Sequence, residues 1–420
     1  MGIMELFSPI VIAVLGSCVL FLFSRWKNLR GPPCIQGWIP WIGAGFEFGK
    51  APLEFIEKAR IKYGPIFTIF AMGKRMTFIT EEEGIDVFLK SKHVDFERAV
   101  ESTVYHAAWI PKNIFSALHE KLYAVMKGKM GTLNIHQFTG QLAEEFHEQL
   151  EDLGTQGTMD LNDFVRNWSK SKRWLLALLE KAIDEIKPHG TAGHSGTLLE
   201  AVLEVVKTET LQHSPNYGLL LLWASLANAT PVAFWTLAFI LSHPDIHRTV
   251  LESISSVFGP AGKGKIKVSE DDLKRLDLVK WCVLESIRLR APGIISRKVV
   301  KPVKILNHTV PSGDMLMLSP FWLHRNPKYF PEPESFKPER WKEANLDKYV
   351  FLDGFMAFGY GKFQCPGRWF ALLEIQICII LVLYKYDCHL LDPLPKHSSL
   401  HLVGVPWPGG KCRIEYKQRA

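Results

Sequence analysis

The sequence predicts a mainly α-helical protein with a smaller β-rich region. Two long apolar stretches of helical length, Tyr217 to Leu241 and Arg368 to Leu383, mark buried helices. Short runs rich in β-formers, around Pro65 to Ala71, Arg75 to Thr80 and residues 297–318, mark the strands. A chain of 420 residues that is 47% hydrophobic is long enough for a large core in one or two domains.

From the start of the chain, Phe7 to Phe23 is almost entirely apolar, and with Ile3 and Met4 it nears the ~20 residues that span a bilayer. Arg25, Lys27 and Arg30 follow it, and no small-residue cleavage site is convincing. The reading is an uncleaved anchor over 1–24, with the body on the positive, cytoplasmic side. A buried core helix is the competing reading. Residues 25–50 hold a proline-rich hinge, Gly31-Pro32-Pro33 and Gly37-Trp38-Ile39-Pro40, and the body follows over 51–420.

Within the body, 52–63 is helical in pattern, and Met72-Gly73 is the turn of a hairpin. Residues 114–153 are helical with a break near Gly131, and 168–187 and 197–212 are helical again. Tyr217 to Leu241 could cross a membrane or a core; Asn228 and Pro231 at its centre favour a core helix. Ser269 caps a helix read through to Leu289, residues 324–342 form a proline-punctuated meander, and Pro366 sits in the first turn of the last long helix.

Net charge is +7, spread too thinly for a nucleic-acid partner, and no basic stripe interleaves with aromatics. Seven scattered cysteines show neither disulfide nor zinc spacing, which fits a reducing compartment.

One of them stands apart. Cys365 lies in Phe358-Gly-Tyr-Gly-Lys-Phe-Gln-Cys-Pro-Gly367, a loop that glycines turn tightly, at the start of an apolar helix. Helix-end N–H groups favour a thiolate there, and a lone thiolate suits haem iron. A cysteine without such flanks is more often a small buried hydrophobe. Upstream, Glu285 and Arg288 stand three apart on one helix face, and Arg340 in Pro338-Glu339-Arg340-Trp341 can join them around one carboxylate.

Phe358, Gly361, Cys365 and Gly367 resemble the haem-binding signature of the cytochromes P450. Glu285-x-x-Arg288, Pro-Glu-Arg340 and the cysteine loop follow in that family's order. The resemblance implies the cytochrome P450 fold around a haem b, with Cys365 as the axial iron ligand and Glu285, Arg288 and Arg340 as structural supports. It implies Arg297 as a propionate cation, with Tyr123 and Lys127 standing in for an absent Trp-x-x-x-Arg pair. Phe363 replaces the family's usual basic residue before the cysteine.

The central helix resembles the family's oxygen helix, with Ala227-Asn228 where an acid-threonine pair is usual. Asn228 then offers a hydrogen bond on the oxygen side, and the Ala227 carbonyl, left without a partner by Pro231, can hold a proton-delivering water. These features are similar to the sterol and prostanoid branch. That implies a sterol or oxysterol substrate, electrons from NADPH through a P450 reductase, membrane lipid as a neighbour, and a single-pass place in the endoplasmic reticulum membrane. A peroxide-rearranging isomerase without a reductase and a shortened, non-productive chain are the alternatives. By helix count, roughly fifty residues that family members carry are absent near 165–167.

Overall fold

The computed structural model describes residues 31–132, 139–168, 214–262, 264–291, 293–346, 351–398 and 404–420, with single positions 11, 16, 136, 205 and 402. Most of the expected anchor over 1–24 and of the helices expected over 168–187 and 197–212 lies outside the described residues. The chain divides into two compact units: Met1–Ala99 with Ile294–Ser319, and Val100–Gly293 with Pro320–Ala420.

The first unit carries the β-rich region. Its early elements are β1 (Cys34–Ile35), α1 (Gly45–Lys50), α2 (Pro52–Tyr63), β2 (Ile66–Ala71), β3 (Lys74–Ile79), α3 (Ile85–Lys90) and β4 (Val94–Asp95). The helix α4 (Glu97–Ala108) follows and runs on into the second unit. Pro52 opens α2, where its missing N–H costs nothing, and Gly64 ends it at φ 90°. The turn between β2 and β3 needs two residues at positive φ, and Met72 (47°) and Gly73 (72°) provide them. Across that hairpin the Thr68 and Thr77 hydroxyls bond at 2.8 Å and Phe67 stacks on Phe78.

The second unit holds the helical core. In order these are α5 (Lys112–Thr132), α6 (Thr139–Asp152), β5 (Gln156–Asp160), α7 (Leu161–Trp168), α8 (Ser214–Ala227), α9 (Ala229–Ser242), α10 (Pro244–Phe258), α11 (Glu270–Lys274) and α12 (Asp277–Arg290). After α12 the chain returns to the first unit for β6 (Ile295–Val299), β7 (Val303–Ile305), β8 (His308–Val310) and β9 (Met315–Leu318). The second unit ends with α13 (Pro320–Leu323), α14 (Arg368–Lys385), β10 (Tyr386–Leu390) and β11 (Arg413–Gln418).

The sheet of the first unit runs β1-β2-β3-β9-β6-β4, beside the β7–β8 hairpin. In the second unit β11 lies between β10 and β5, antiparallel to both. Helix α9 is buried from Ala229 to Ile240, and α7, α10, α12 and α14 pack on it. A helix apolar on every side belongs in such a centre. Among the described residues, Asn216–Ser242, spanning α8 and α9, is the stretch long and apolar enough to cross a membrane, and most of its apolar window is buried inside the protein.

Three sequence expectations change. The central helix is two helices, α8 and α9, which break at Asn228 where Pro231 withdraws an N–H from the ladder. The helix expected from Ser269 to Leu289 is also two. Ser269 caps α11 through a reciprocal box with Asp272, and the chain turns at Arg275-Leu276 before α12. Pro366 precedes α14 rather than lying in its first turn, because Gly367 is the cap.

Candidate active site

The cysteine loop is shaped by its glycines. Gly359 (φ 74°) and Gly361 (φ 64°) take a left-handed backbone that a side chain would strain. This folds the chain back so that the Cys365 N–H donates to the Phe358 carbonyl at 2.8 Å. A Cβ added at Gly361 or Gly367 would meet no atom within 4 Å, so the loop keeps open space on those faces.

Cys365 is exposed, yet enough protein surrounds its sulfur that burial pushes the thiol up. The Gly367 N–H and the Arg368 guanidinium pull it back down only in part. The sequence expectation of a thiolate favoured by the helix end is therefore corrected: desolvation outweighs the helix-end groups. The Arg368 Nε is buried without a hydrogen-bond partner, while Nη1 donates to the Cys365 carbonyl at 2.9 Å.

From α5, Tyr123 donates its hydroxyl to the Gln364 carbonyl. Phe115, His119, Tyr123 and Phe363 form a ladder of rings that ties α5 to the loop. The residue that departs from the family pattern, Phe363, is thus a packing residue. Burial, followed by nearby Cys365, raises the Tyr123 phenol. Lys127, one turn on, is exposed.

Glu285, Arg288 and Arg340 come together in one hydrogen-bonded network. Glu285 and Arg288 are both fully buried. Arg288 grips Glu285 through Nε and Nη2 at 2.9 and 2.8 Å. Its other donors reach the carbonyls of His324, Pro333 and Ser335. Glu285 also accepts from Arg340 Nε (3.0 Å), the Lys337 N–H (3.1 Å) and Trp341 Nε1 (3.0 Å). A buried carboxylate stays charged only when so surrounded.

Sequence reasoning missed His324. Its Nε2 accepts from the Met356 N–H at 3.0 Å, and its ring stacks on Phe355. Phe355 touches Phe358, whose carbonyl holds Cys365, so His324 links the buried ion pair to the cysteine loop. Its place between Trp322-Leu323 and Arg325 gave no periodic signal.

Asn228 lies at the α8–α9 break. Its Oδ1 accepts from the Val405 N–H at 3.0 Å, which leaves the amide NH2 as the end it presents. Gly404 stands against it at φ 78°, where a Cβ would come within 2.4 Å of that Oδ1. Pro231 has no N–H to give the Ala227 carbonyl. In the first unit, Arg297 is buried in β6 with its guanidinium over Phe88 and Phe96 at 5.1 and 4.9 Å. Burial pulls it down to about 10, and it remains a cation.

These residues fit a haem by the chemistry of the donor. One reachable sulfur, on a glycine loop with open space beside it, suits a metal whose remaining ligands come with a macrocycle.

Near 165–167, α7 is continuous, and Phe164 and Val165 are buried against α9. The void that Phe164, Val165, Ala233 and Leu237 help to line is only about 20 Å³. Larger apolar exposure occurs elsewhere in the unit, where Trp109 and Trp223 are 69% and 44% exposed.

Residues 32–170 and 199–413 match the Cytochrome P450 family. A mouse (Mus musculus) 24-hydroxycholesterol 7-alpha-hydroxylase is 76% identical over 470 positions, covering all of both chains. The human (Homo sapiens) protein of the same name is 67% identical, over 99% of this chain and all of its own. A pig (Sus scrofa) 5-beta-cholestane-3-alpha,7-alpha-diol 12-alpha-hydroxylase is 25% identical over 99% of each. The mouse comparison spans 470 positions against 420 residues here and reaches both ends, so about 50 internal positions have no counterpart in this chain.

Proposed function

The chain belongs to the cytochrome P450 family, and from that membership we propose that it is a haem-thiolate monooxygenase that hydroxylates an oxysterol. The substrate we infer is 24-hydroxycholesterol, hydroxylated at the 7-alpha position, a step of bile-acid synthesis. The observation that carries the reading is Cys365, held reachable by its glycine loop, in a chain 76% identical to a hydroxylase of that name.

A haem bound there supplies the activation of dioxygen with electrons from NADPH through a reductase. The protein's own residues do the rest. Cys365 would hold the haem iron through its sulfur, as a thiolate once coordinated. The Gly367 N–H and the Arg368 guanidinium favour negative charge on that sulfur. Tyr123 and the Glu285–Arg288–His324 chain fix the loop from two sides. We assign Arg297 and Lys127 to the haem carboxylates.

On the substrate side, Asn228 is assigned to donate its amide N–H, oriented by Val405, and the Ala227 carbonyl to hold a water. Residues 1–24 are assigned as an anchor in the endoplasmic reticulum membrane, with the body on the cytoplasmic face. The isomerase alternative is not favoured, since the close relatives are named as hydroxylases.

The test is a reduced carbon-monoxide difference spectrum, followed by turnover of 24-hydroxycholesterol with NADPH and reductase. Cys365→Ser should lose the thiolate-type band and all product. A thiolate band in that variant, or product formed without NADPH, would overturn the assignment.

A further inference from the structure

The C-terminal end of α12 is closed by side chains from beyond it. A helix leaves its last carbonyls without partners. Here the Ile287 carbonyl accepts from the Ala291 N–H, and the Arg288 carbonyl from His324 Nδ1. The Leu289 carbonyl accepts from two guanidiniums, Arg290 Nη1 at 3.2 Å and Arg325 Nη2 at 2.9 Å. Two like charges therefore meet at one oxygen. A helix end carries about half a negative charge, which offsets only part of one cation.

Among the described residues, the remaining surroundings add little negative charge. Glu334 lies 2.9 Å from Arg325 Nε, but its side chain is 71% exposed. Burial, then the Arg290 and Arg325 charges, hold His397 down to about 4, so it is neutral. Arg290 lies across the faces of Trp235 and Phe239, at 4.6 and 4.8 Å. Its Nε is buried and has no hydrogen-bond partner. Burial and Arg325 pull Arg290 down to about 10, and burial does the same to Arg325.

We propose that Arg290 and Arg325 form a binding site for a phosphate-type oxyanion. Guanidinium forks match two oxygens of such a group at once. The ligand would engage the unpartnered Arg290 Nε and separate the two cations electrically. Glu334 occupies Arg325 in its absence and competes with it. The site joins Trp235 of α9 to the end of α12 and to the segment after α13. An occupant would therefore stiffen the elements that carry the Glu285–Arg288 pair.

The experiment titrates the full-length chain with inorganic phosphate at fixed ionic strength, with chloride as the control. Binding is followed by calorimetry and by the thermal midpoint. Wild type should bind saturably, Arg290→Gln should lose tenfold or more, and Glu334→Gln should tighten binding threefold or more. Glu334 is exposed, so that variant stays informative if Arg290→Gln fails to fold. Glycerol 3-phosphate displacing phosphate would show that the natural group is borne on a larger molecule; no displacement would point to the free ion. Non-saturable binding in wild type, equal affinity in folded Arg290→Gln, or no gain in Glu334→Gln would overturn the proposal.

Discussion

Arg288 and His324 hold each other at both ends. Arg288 Nη1 donates to the His324 carbonyl at 2.8 Å, and His324 Nδ1 donates back to the Arg288 carbonyl at 3.2 Å. The pair joins the end of α12 to the chain that leads to the cysteine loop. Because Nδ1 donates and Nε2 accepts from Met356, His324 is fixed as one neutral tautomer.

Arg288→Ala should therefore remove five donors at once and leave Glu285 buried with its charge only partly matched. The expected cost is about 3–5 kcal/mol, from the general penalty for breaking a buried pair. Denaturant unfolding measures it, and haem content should fall in parallel. Wild-type stability in this variant would show that Arg340, Lys337 and Trp341 suffice alone.

His324 predicts an acid limit. Burial, then Arg325 and Arg288, lower its folded-state value to about 3, against 6.5 for an ordinary histidine. Between those values the unfolded chain binds a proton that the folded chain refuses, so stability rises with pH across the window. It should fall as pH drops from about 6.5 towards 3, at roughly 1.4 kcal/mol per unit. His324→Gln should flatten that part of the curve. Parallel stability–pH curves for the two proteins would refute the assignment.

Gly404→Ala tests the loop that orients Asn228. The added Cβ would sit 2.4 Å from Asn228 Oδ1 at a φ of 78°, so the Val405–Asn228 bond has to break. The thiolate spectrum should persist, while turnover falls about tenfold, as loss of one aligned hydrogen bond would give. Substrate-induced spectral shifts and kcat, measured together, separate this from general unfolding. Unchanged turnover would remove Asn228 from the reaction.

The fourth prediction concerns the roughly fifty internal positions that the mouse relative has and this chain lacks. Inserting the relative's segment between Val165 and Asn167 should raise both haem retention and sterol hydroxylation. Even one deleted large side chain costs several kcal/mol, and domains hold only ~5–15 in reserve. The structure meets the loss without a large cavity at α7, while Trp109 and Trp223 stand exposed on other parts of the unit. Equal stability and turnover with and without the insert would show that the segment is dispensable.

Local chemistry was legible in the sequence where it was also sufficient. Met72-Gly73 specified its hairpin, Pro52 and Gly64 bounded α2, and the glycines around Cys365 gave the loop its turn. Glu285, Arg288 and Arg340 were legible as a set because two lie on one helix face. What remained hidden depended on partners far along the chain. His324 acquires its role from Arg288 and Met356, and Asn228 from Val405, 177 residues away. The thiol's preference for its proton was hidden for the same reason, since desolvation comes from surroundings that no short window contains.

The three-stranded sheet has a consequence for synthesis. Among the described residues, Gln156–Asp160 of β5 pair only with Lys417–Arg413 of β11, and the Cys412 N–H bonds Asp160 across 252 positions. At the usual ~5–20 residues per second, a ribosome needs roughly 13–50 seconds to bridge that interval. For that time a nascent β5 presents an unpaired edge to neighbouring chains. Its composition suits the wait: Gln156-Gly-Thr-Met-Asp160 is polar, holds a glycine and ends in a charge, which makes it a poor template for edge-to-edge association.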